Sequence, residues 1–378
     1  MAESLFVVKD LDPNSQRSSS VTLGPPKATS HPFIGGTTPK DVLQYLPPSG
    51  DPFSLYGDPY AELVYIDNEQ GFRKASYWLQ DRVESNSFTD KEIALINFLS
   101  VHRCATRSQI KKALFSPSDN EQKVKKFIET SHKRGIISCF SWQSPCRFEN
   151  QKKKPRVYGL SPIGCQAAEI LFHRQLPREF RFQPVKFPIG TNPKMDYIFQ
   201  HLVANELYCN MMTVDRVINW ERSRRVLLND GSEFKTQYAT ELIKDYNEIR
   251  TLWIEVVRVK AGWYEAIIRR FQTIQNALER AEELSKPERI IVIADDDSRI
   301  PILAELAETY LPDIKIRFTT DERLLSSWGP ETFIQCVAGE QVLNPSPIPF
   351  LLPDYKGMTA TEYRNSYSSI EFEDEFED

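Results

Sequence analysis

The sequence contains little of what builds small cross-linked, metal-binding or membrane-spanning proteins. Its 378 residues include six cysteines and no Cys-x-x-Cys pair, so we expect neither a disulfide scaffold nor a zinc finger. No stretch approaches the roughly 20 consecutive apolar residues that a bilayer span needs. The first residues form no basic-then-apolar secretory signal. We therefore expect a cytoplasmic protein of a reducing compartment, with no membrane partner.

Several common catalytic motifs are also missing. The chain has no glycine-rich phosphate-binding loop and no Gly-x-Ser-x-Gly elbow, so neither ATP hydrolysis nor serine hydrolase chemistry is expected. Its five histidines lack His, Cys or Asp partners at metal-ligand spacing, so we expect none of them to bind zinc.

Charge is distributed unevenly along the chain. The net charge is −5, yet residues 102–160 contain fourteen Lys and Arg against four Asp and Glu, an excess of ten positive charges. Residues 371–378 hold six acids and no base. A basic block on an acidic chain predicts one domain that meets a polyanion, followed by a charged tail.

The basic block has the order of elements typical of a winged helix. Thr89 is positioned as the N-cap of a first helix, and Ser161-Pro162 begins a closing helix. Between them, the sequence predicts helices from Thr106 and from about 120 to 133, then strands at 136–142 and 156–160 joined by a basic loop. In a winged helix, the third helix can enter the major groove while the loop lies along the DNA backbone. The residues expected to contact DNA are Lys123, Lys125, Lys126, Lys133, Arg134, Lys152, Lys153, Lys154 and Arg156.

The following region alternates strands with helices. A helix is predicted near 195–212, four strands between 216 and 259, a long helix at 263–284, a buried strand at 289–294, a helix at 300–310 and a strand at 314–318. This pattern favours a mixed sheet flanked by helices. Arg269 and Arg270 lie beside the apolar stripe of the long helix and are expected to be solvated or to touch DNA.

One pair of carboxylates is a candidate metal-binding site. If the strands around Glu241 and Glu255 fold back about position 248, these two residues face each other on one side of a hairpin. Two adjacent carboxylates can share a divalent cation. The register is assumed, and a slip of one residue would move one acid to the other face.

Taken together, these features resemble the replication-relaxation family of plasmids and integrated conjugative elements. The resemblance covers about residues 88–295. It rests on the basic winged helix, on a helix with His201 and Asn205-Glu206, on a carboxylate strand, and on the run Trp253-Ile254-Glu255-Val256-Val257-Arg258. Its second half is similar in layout to the PD-(D/E)XK nuclease fold. In that superfamily, a Pro-Asp and a Glu-x-Lys bind Mg²⁺ and activate water, often with help from a helix Glu.

Under this resemblance, Glu206 matches the helix acid, Glu241 the Asp of Pro-Asp and Glu255 the Glu of Glu-x-Lys. The resemblance makes Glu241 and Glu255 the metal ligands if the domain is active. Two positions depart from the motif: Thr240-Glu241 replaces Pro-Asp, and Val257 occupies the lysine position. Without a cation there, nothing offsets the charge that develops on the attacking water. Lys260 is the candidate for a migrated base. No cofactor is expected, or Mg²⁺ if the domain is active.

The expected fold class is α+β, a winged-helix domain followed by a mixed-sheet domain resembling the restriction-endonuclease-like fold. The expected segments are a flexible arm (1–55), a connecting segment (56–87), the winged helix (88–178), the nuclease-like domain (179–340) and a Pro-rich then acidic tail (341–378).

Three functions remain open. The first is a DNA-binding protein of a mobile genetic element, acting in plasmid replication, maintenance or transfer, with an inactive nuclease-like domain. The second is a metal-dependent endonuclease, and the third is a non-catalytic scaffold that recruits proteins. The expected partners are double-stranded DNA, replication or transfer proteins, and a second copy of the chain.

Overall fold

The computed structural model describes residues 38–66, 69–146, 154–183, 187–188, 190–246 and 248–373. It is a mixed α+β structure that divides into two compact units. The lysine-rich unit comprises Asp58–Pro145 and Gln151–Cys209, and the α/β unit comprises Met1–Gly57, Cys146–Asn150 and Asn210–Asp378.

The lysine-rich unit combines six helices with one small antiparallel sheet. The strand order is β1-β3-β4-β2, with Leu160 opposite Ile137 and Gly159 opposite Cys104. Its elements are β1 (Glu62–Ile66), α1 (Glu69–Glu84), α2 (Asp90–His102), β2 (Cys104–Thr106), α3 (Arg107–Leu114), α4 (Glu121–Lys133), β3 (Ile137–Gln143), β4 (Val157–Leu160), α5 (Pro162–Phe172) and α6 (Asp196–Thr213). The boundary between the units falls after Cys209, within α6.

Local capping explains where these helices begin. The Thr89 side chain accepts a hydrogen bond from the backbone of Glu92, whose carboxylate accepts one from the Thr89 backbone, which completes a capping box. Thr106 and Gln109 repeat the arrangement at α3, and Ser161 caps α5. The predicted cap at Thr89 and the predicted helix start at Ser161-Pro162 are confirmed. Strand β2 was not predicted from the sequence, because it is only three residues long.

The α/β unit is built on a seven-stranded sheet. Its order is β13-β12-β11-β10-β9-β8-β5, in which β9, β10 and β11 are parallel and the remaining pairs are antiparallel. The strands are β5 (Val217–Arg222), β6 (Arg225–Leu227), β7 (Glu233–Lys235), β8 (Tyr238–Asp245), β9 (Glu248–Val256), β10 (Arg289–Ala294), β11 (Lys315–Thr320), β12 (Ile334–Gln335) and β13 (Asn344–Pro345). The hairpin β6–β7 forms a separate two-stranded sheet.

The helices described in this unit are α7 (Trp263–Arg280), α8 (Ile300–Tyr310), α9 (Asp321–Leu325) and α10 (Ala360–Glu373). Helix α7 connects the parallel strands β9 and β10, and α8 connects β10 and β11. Parallel neighbours need such crossovers because a tight turn joins only antiparallel strands. Trp253 of β9 and Phe271 and Ile274 of α7 are fully buried in one apolar cluster, so the stripe on the long helix is core, as expected.

Both ends of the described chain are packed, although the sequence predicted a flexible arm and a tail. Val42 and Phe53 are each 1% exposed, and Ile348 and Ala360 are fully buried. The burial of these apolar residues was not predicted, because they are isolated within Pro-rich segments and show no helical or strand periodicity. Residues 1–37 and 374–378 lie outside the described residues. The side chains of residues 367–373 are not described either, so the predicted acidic tail lies outside the description.

Candidate functional site

Helix α4 presents one polar face to solvent. Its start is set by Asn120, whose side chain accepts a hydrogen bond from the backbone of Gln122 at 2.9 Å. Val124, Ile128 and Ser131 are buried. At about 100° per residue, the opposite side carries four exposed residues, Gln122, Lys126, Glu129 and Lys133. This exposed side is called the α4 polar face below.

The cations predicted to contact DNA differ in their surroundings. Lys123 pairs with Asp119 at 2.7 Å, and Lys125 lies 3.8 Å from Glu129. Lys126, Lys133 and Arg156 are exposed, and none of the three forms an ion pair with another residue that the structure describes. Exposed pairs of the i,i+4 type contribute only about 0.3–0.5 kcal/mol, so even the paired lysines can exchange their partners for phosphate.

Two further predicted contacts are held by the protein itself. Arg134 donates to Glu92 at 2.8 Å, a buried carboxylate that Arg82 also approaches at 3.4 Å. Lys154 donates to the Trp142 carbonyl at 3.3 Å, with its ammonium 6.0 Å from the centre of the indole ring. Both side chains are therefore engaged by other groups of the protein, Arg134 with a carboxylate of α2 and Lys154 with the end of β3 next to the loop. Lys152 and Lys153 lie outside the described residues.

Glu206 makes its contacts within the lysine-rich unit. Its side chain is 4% exposed. It accepts a hydrogen bond from Gln109 at 2.9 Å and pairs with Lys112 of α3. Neighbouring Asn205 bonds to buried His102 at 2.9 Å. These contacts tie α6 to α2 and α3, whereas Glu241, Glu255 and Lys260 belong to the α/β unit.

The predicted register between Glu241 and Glu255 is wrong. Glu241 faces Thr251, because the β8–β9 hairpin folds back about position 246 and contains an irregularity between Ile243 and Asp245. Both glutamates still point to the same face of the sheet, but they are four positions apart, or about 13 Å along the strand. Each carboxylate has its own arginine: Arg224 contacts Glu241 at 2.7 Å, and Arg270 contacts Glu255 at 2.6 Å.

The position opposite Glu255 is occupied by Gln237. The Gln237 backbone N–H lies 3.4 Å from a Glu255 oxygen, and its side-chain carbonyl accepts from the Val256 backbone at 2.8 Å. Arg270 donates to both oxygens of Glu255 and also to the Lys235 carbonyl. The Glu255 side chain is only 2% exposed. Three N–H donors from two residues, Arg270 and Gln237, therefore satisfy this carboxylate.

The side chains around Glu255 are not a suitable set of ligands for a bound Mg²⁺ ion. The position facing Glu255 carries an amide in place of a second carboxylate, Val257 is buried in the apolar cluster, and Arg270 neutralises Glu255. Lys260 lies beyond the end of β9 and is exposed. Within the described ranges, no group of three or more His, Cys, Asp or Glu is placed to hold a metal ion.

The sequence analysis missed a buried ionic network at the carboxyl end of the parallel strands. Asp321 accepts hydrogen bonds from Arg258 and from Ser54, both at 2.7 Å. Burial raises the pKa of Asp321 to about 6, although Arg258 opposes the shift. Arg299 pairs with Asp295 at 2.9 Å. The run Asp295-Asp296-Asp297 was the available signal in the sequence. Asp296 accepts a hydrogen bond from the Ser298 backbone at 2.8 Å and so caps the short turn Asp297–Arg299 that precedes α8.

No helix in the described part of the chain has the length and apolarity needed to cross a membrane. Comparisons of the sequence with family models and with curated proteins, and of the structure with solved structures, find no match.

Proposed function

We propose that this protein binds double-stranded DNA through the lysine-rich unit and that its α/β unit resembles a nuclease domain without hydrolytic activity. The process proposed is replication, maintenance or transfer of a mobile genetic element. That process rests on the resemblance to the replication-relaxation family.

The observation that carries DNA binding is the order and pairing of elements around α4. Helix α2, strand β2, helices α3 and α4, and the hairpin β3–β4 follow one another, and β2 pairs with β4. This arrangement is typical of a winged helix, whose third helix is the element that enters a major groove. Here that helix is α4. Lys126 and Lys133, which form no ion pair with another described residue, are exposed on it, and Arg156, which is likewise unpaired among the described residues, is exposed just before β4.

The α/β unit supports the second part of the proposal through its order and its chemistry. Within this unit, the antiparallel strands β5, β8 and β9, helix α7 and the parallel strand β10 follow the order expected of the nuclease core. Helix α6, which precedes them in the chain, belongs mostly to the lysine-rich unit. Hydrolysis needs a polarising metal or cation beside the attacking water. Gln237 and Val257 cannot supply one, and Arg270 is fully engaged with Glu255 and Lys235.

A salt titration tests DNA binding. The full-length protein is titrated with a labelled duplex at several salt concentrations. Each phosphate neutralised contributes about −0.9 to the slope of log K against log salt, so three to six contacts predict a slope between about −3 and −5. Lys126→Ala, Lys133→Ala and Arg156→Ala should each make the slope shallower by about 1. Lys315→Ala, an exposed lysine of the α/β unit, is the matched control and should leave the slope unchanged.

The alternative functions appear as distinct outcomes. Absence of duplex binding in dilute buffer would remove the proposal and favour the scaffold. Supercoiled plasmid is also incubated with Mg²⁺ or Mn²⁺ and either wild type or Glu255→Ala. We expect no nicking from either protein. Metal-dependent nicking that Glu255→Ala abolishes would show the endonuclease instead.

A further inference from the structure

The α4 polar face contains one residue that does not suit a purely phosphate-binding surface. Gln122, Lys126, Glu129 and Lys133 lie within about 60° of one another around the helix axis, along about 16 Å. Three of them can donate hydrogen bonds to DNA. Glu129 lies among them, and its side chain is 49% exposed.

A carboxylate on a face that contacts DNA must accept a hydrogen bond from a donor group of the DNA, or it weakens DNA binding. Phosphate oxygens and the O6 and N7 edge of guanine are acceptors, so they repel a carboxylate. The donors on the floor of the major groove are the amino groups of cytosine and adenine. Cytosine presents only its N4 amino group, whereas adenine presents N7 as a second, repulsive acceptor beside its amino group. Cytosine is therefore the base that best complements Glu129.

The ion pair of Glu129 is weak enough to leave its carboxylate available to accept a hydrogen bond from a base. Among the residues that the structure describes, it pairs with Lys125, at 3.8 Å, and both side chains are about half exposed. Such a pair is weak and screened by salt. By contrast, Glu121 at the start of α4 lies off the polar face and pairs with Lys111 at 2.7 Å and with Arg107 at 4.0 Å.

We infer that Glu129 is a base-reading residue, which selects cytosine in the major groove and makes the binding of this protein sequence-specific. The inference rests on the proposed DNA-binding function of α4. The Glu129 carboxylate accepts a hydrogen bond from cytosine N4, while Lys126 and Lys133 on either side contact phosphate or guanine. Bidentate base contacts discriminate by roughly 5- to 150-fold against the wrong base, and this single bond is expected at the lower end, about fivefold.

Selection from a random duplex pool tests the inference. Full-length wild type, Glu129→Ala and Glu129→Gln are each used to select from duplexes randomised over about 20 base pairs. Glu121→Ala is the matched control, because it removes one negative charge from the same helix away from the polar face. Both alanine variants should bind a non-selected duplex more tightly than wild type does, because each removes a charge that DNA repels.

Only the Glu129 variants should lose base preference. We expect wild type and Glu121→Ala to select the same motif with a fixed cytosine, and Glu129→Ala to accept any base there with at least a fivefold loss of discrimination. Retention of the full motif by Glu129→Ala, or a wild-type motif without a fixed cytosine, overturns this inference and leaves DNA binding intact. Failure of the wild type to bind any duplex overturns the proposed function itself.

Discussion

Arg270 donates hydrogen bonds to both oxygens of Glu255, at 2.8 and 2.6 Å. The two residues are fifteen positions apart, on a helix and on the strand that the helix covers. The pair places a guanidinium beside the carboxylate that the resemblance to the nuclease fold assigns to metal binding. A buried carboxylate needs a compensating charge, and here the protein itself supplies it.

Removal of that compensation should destabilise the fold. Arg270→Met leaves Glu255 buried and unpaired, so the free energy of unfolding in urea should fall by about 3–5 kcal/mol. The double variant Arg270→Met/Glu255→Met should recover most of this loss, because no buried charge remains. If Arg270→Met alone is as stable as wild type, the pair does not compensate the buried charge.

Arg134 should act on stability and not on DNA affinity. Arg134→Met removes one of two cations beside the buried carboxylate of Glu92, and we expect a loss of about 1–3 kcal/mol in unfolding free energy. The salt slope of DNA binding should stay the same. Lys126→Ala is the contrasting variant, with unchanged unfolding and weaker binding. A shallower salt slope for Arg134→Met would place this arginine on the DNA.

Asp321 should make the α/β unit less stable as pH rises. Its folded pKa of about 6 lies above the ordinary value of 3.8, so between these values the folded state binds more protons than the unfolded chain. Unfolding free energy attributable to Asp321 is therefore highest below pH 4 and falls as pH rises through 6, by up to about 3 kcal/mol. Urea unfolding of wild type and of Asp321→Asn across pH 4–7 measures the difference between their unfolding free energies. A difference that does not change with pH would show that the pKa of Asp321 is not raised.

His102 should give the lysine-rich unit the opposite dependence. Burial lowers the pKa of His102 from 6.5 to about 4, although the hydrogen bond with Asn205 opposes the shift. The unfolded chain binds the proton first, so this contribution is fully present above pH 6.5 and is lost as pH falls toward 4, by up to about 3 kcal/mol. His102→Gln should remove this dependence. Equal acid sensitivity in both proteins would mean that His102 is accessible to solvent.

The sequence predicted those features that depend only on residues close together in the chain. Thr89 was predicted as an N-cap, and helices were predicted to begin near 120 and at Ser161-Pro162. The structure shows the Thr89 cap and places helix starts at both other positions. The apolar run at 289–294 is the buried strand β10. These features depend on residues within one or two turns of each other, so the linear pattern contains the necessary information.

The candidate carboxylate site could not be derived in the same way. The turn after β8 places Gln237, and not Glu241, opposite Glu255. The register of a hairpin depends on how its turn closes and on irregularities such as the one near Ile243. Neither is visible in the alternation of polar and apolar residues, and a shift of four positions leaves both glutamates on the same face.

The sequence by itself determined the α+β class, the caps and most element positions, and the concentration of positive charge before residue 160. Only the tertiary structure decided which charges have partners. Arg270 with Glu255, Arg134 with Glu92 and Lys112 with Glu206 join groups 15, 42 and 94 positions apart. Long side chains pair with whatever the folded backbone brings within about 4 Å, and that proximity depends on packing between elements.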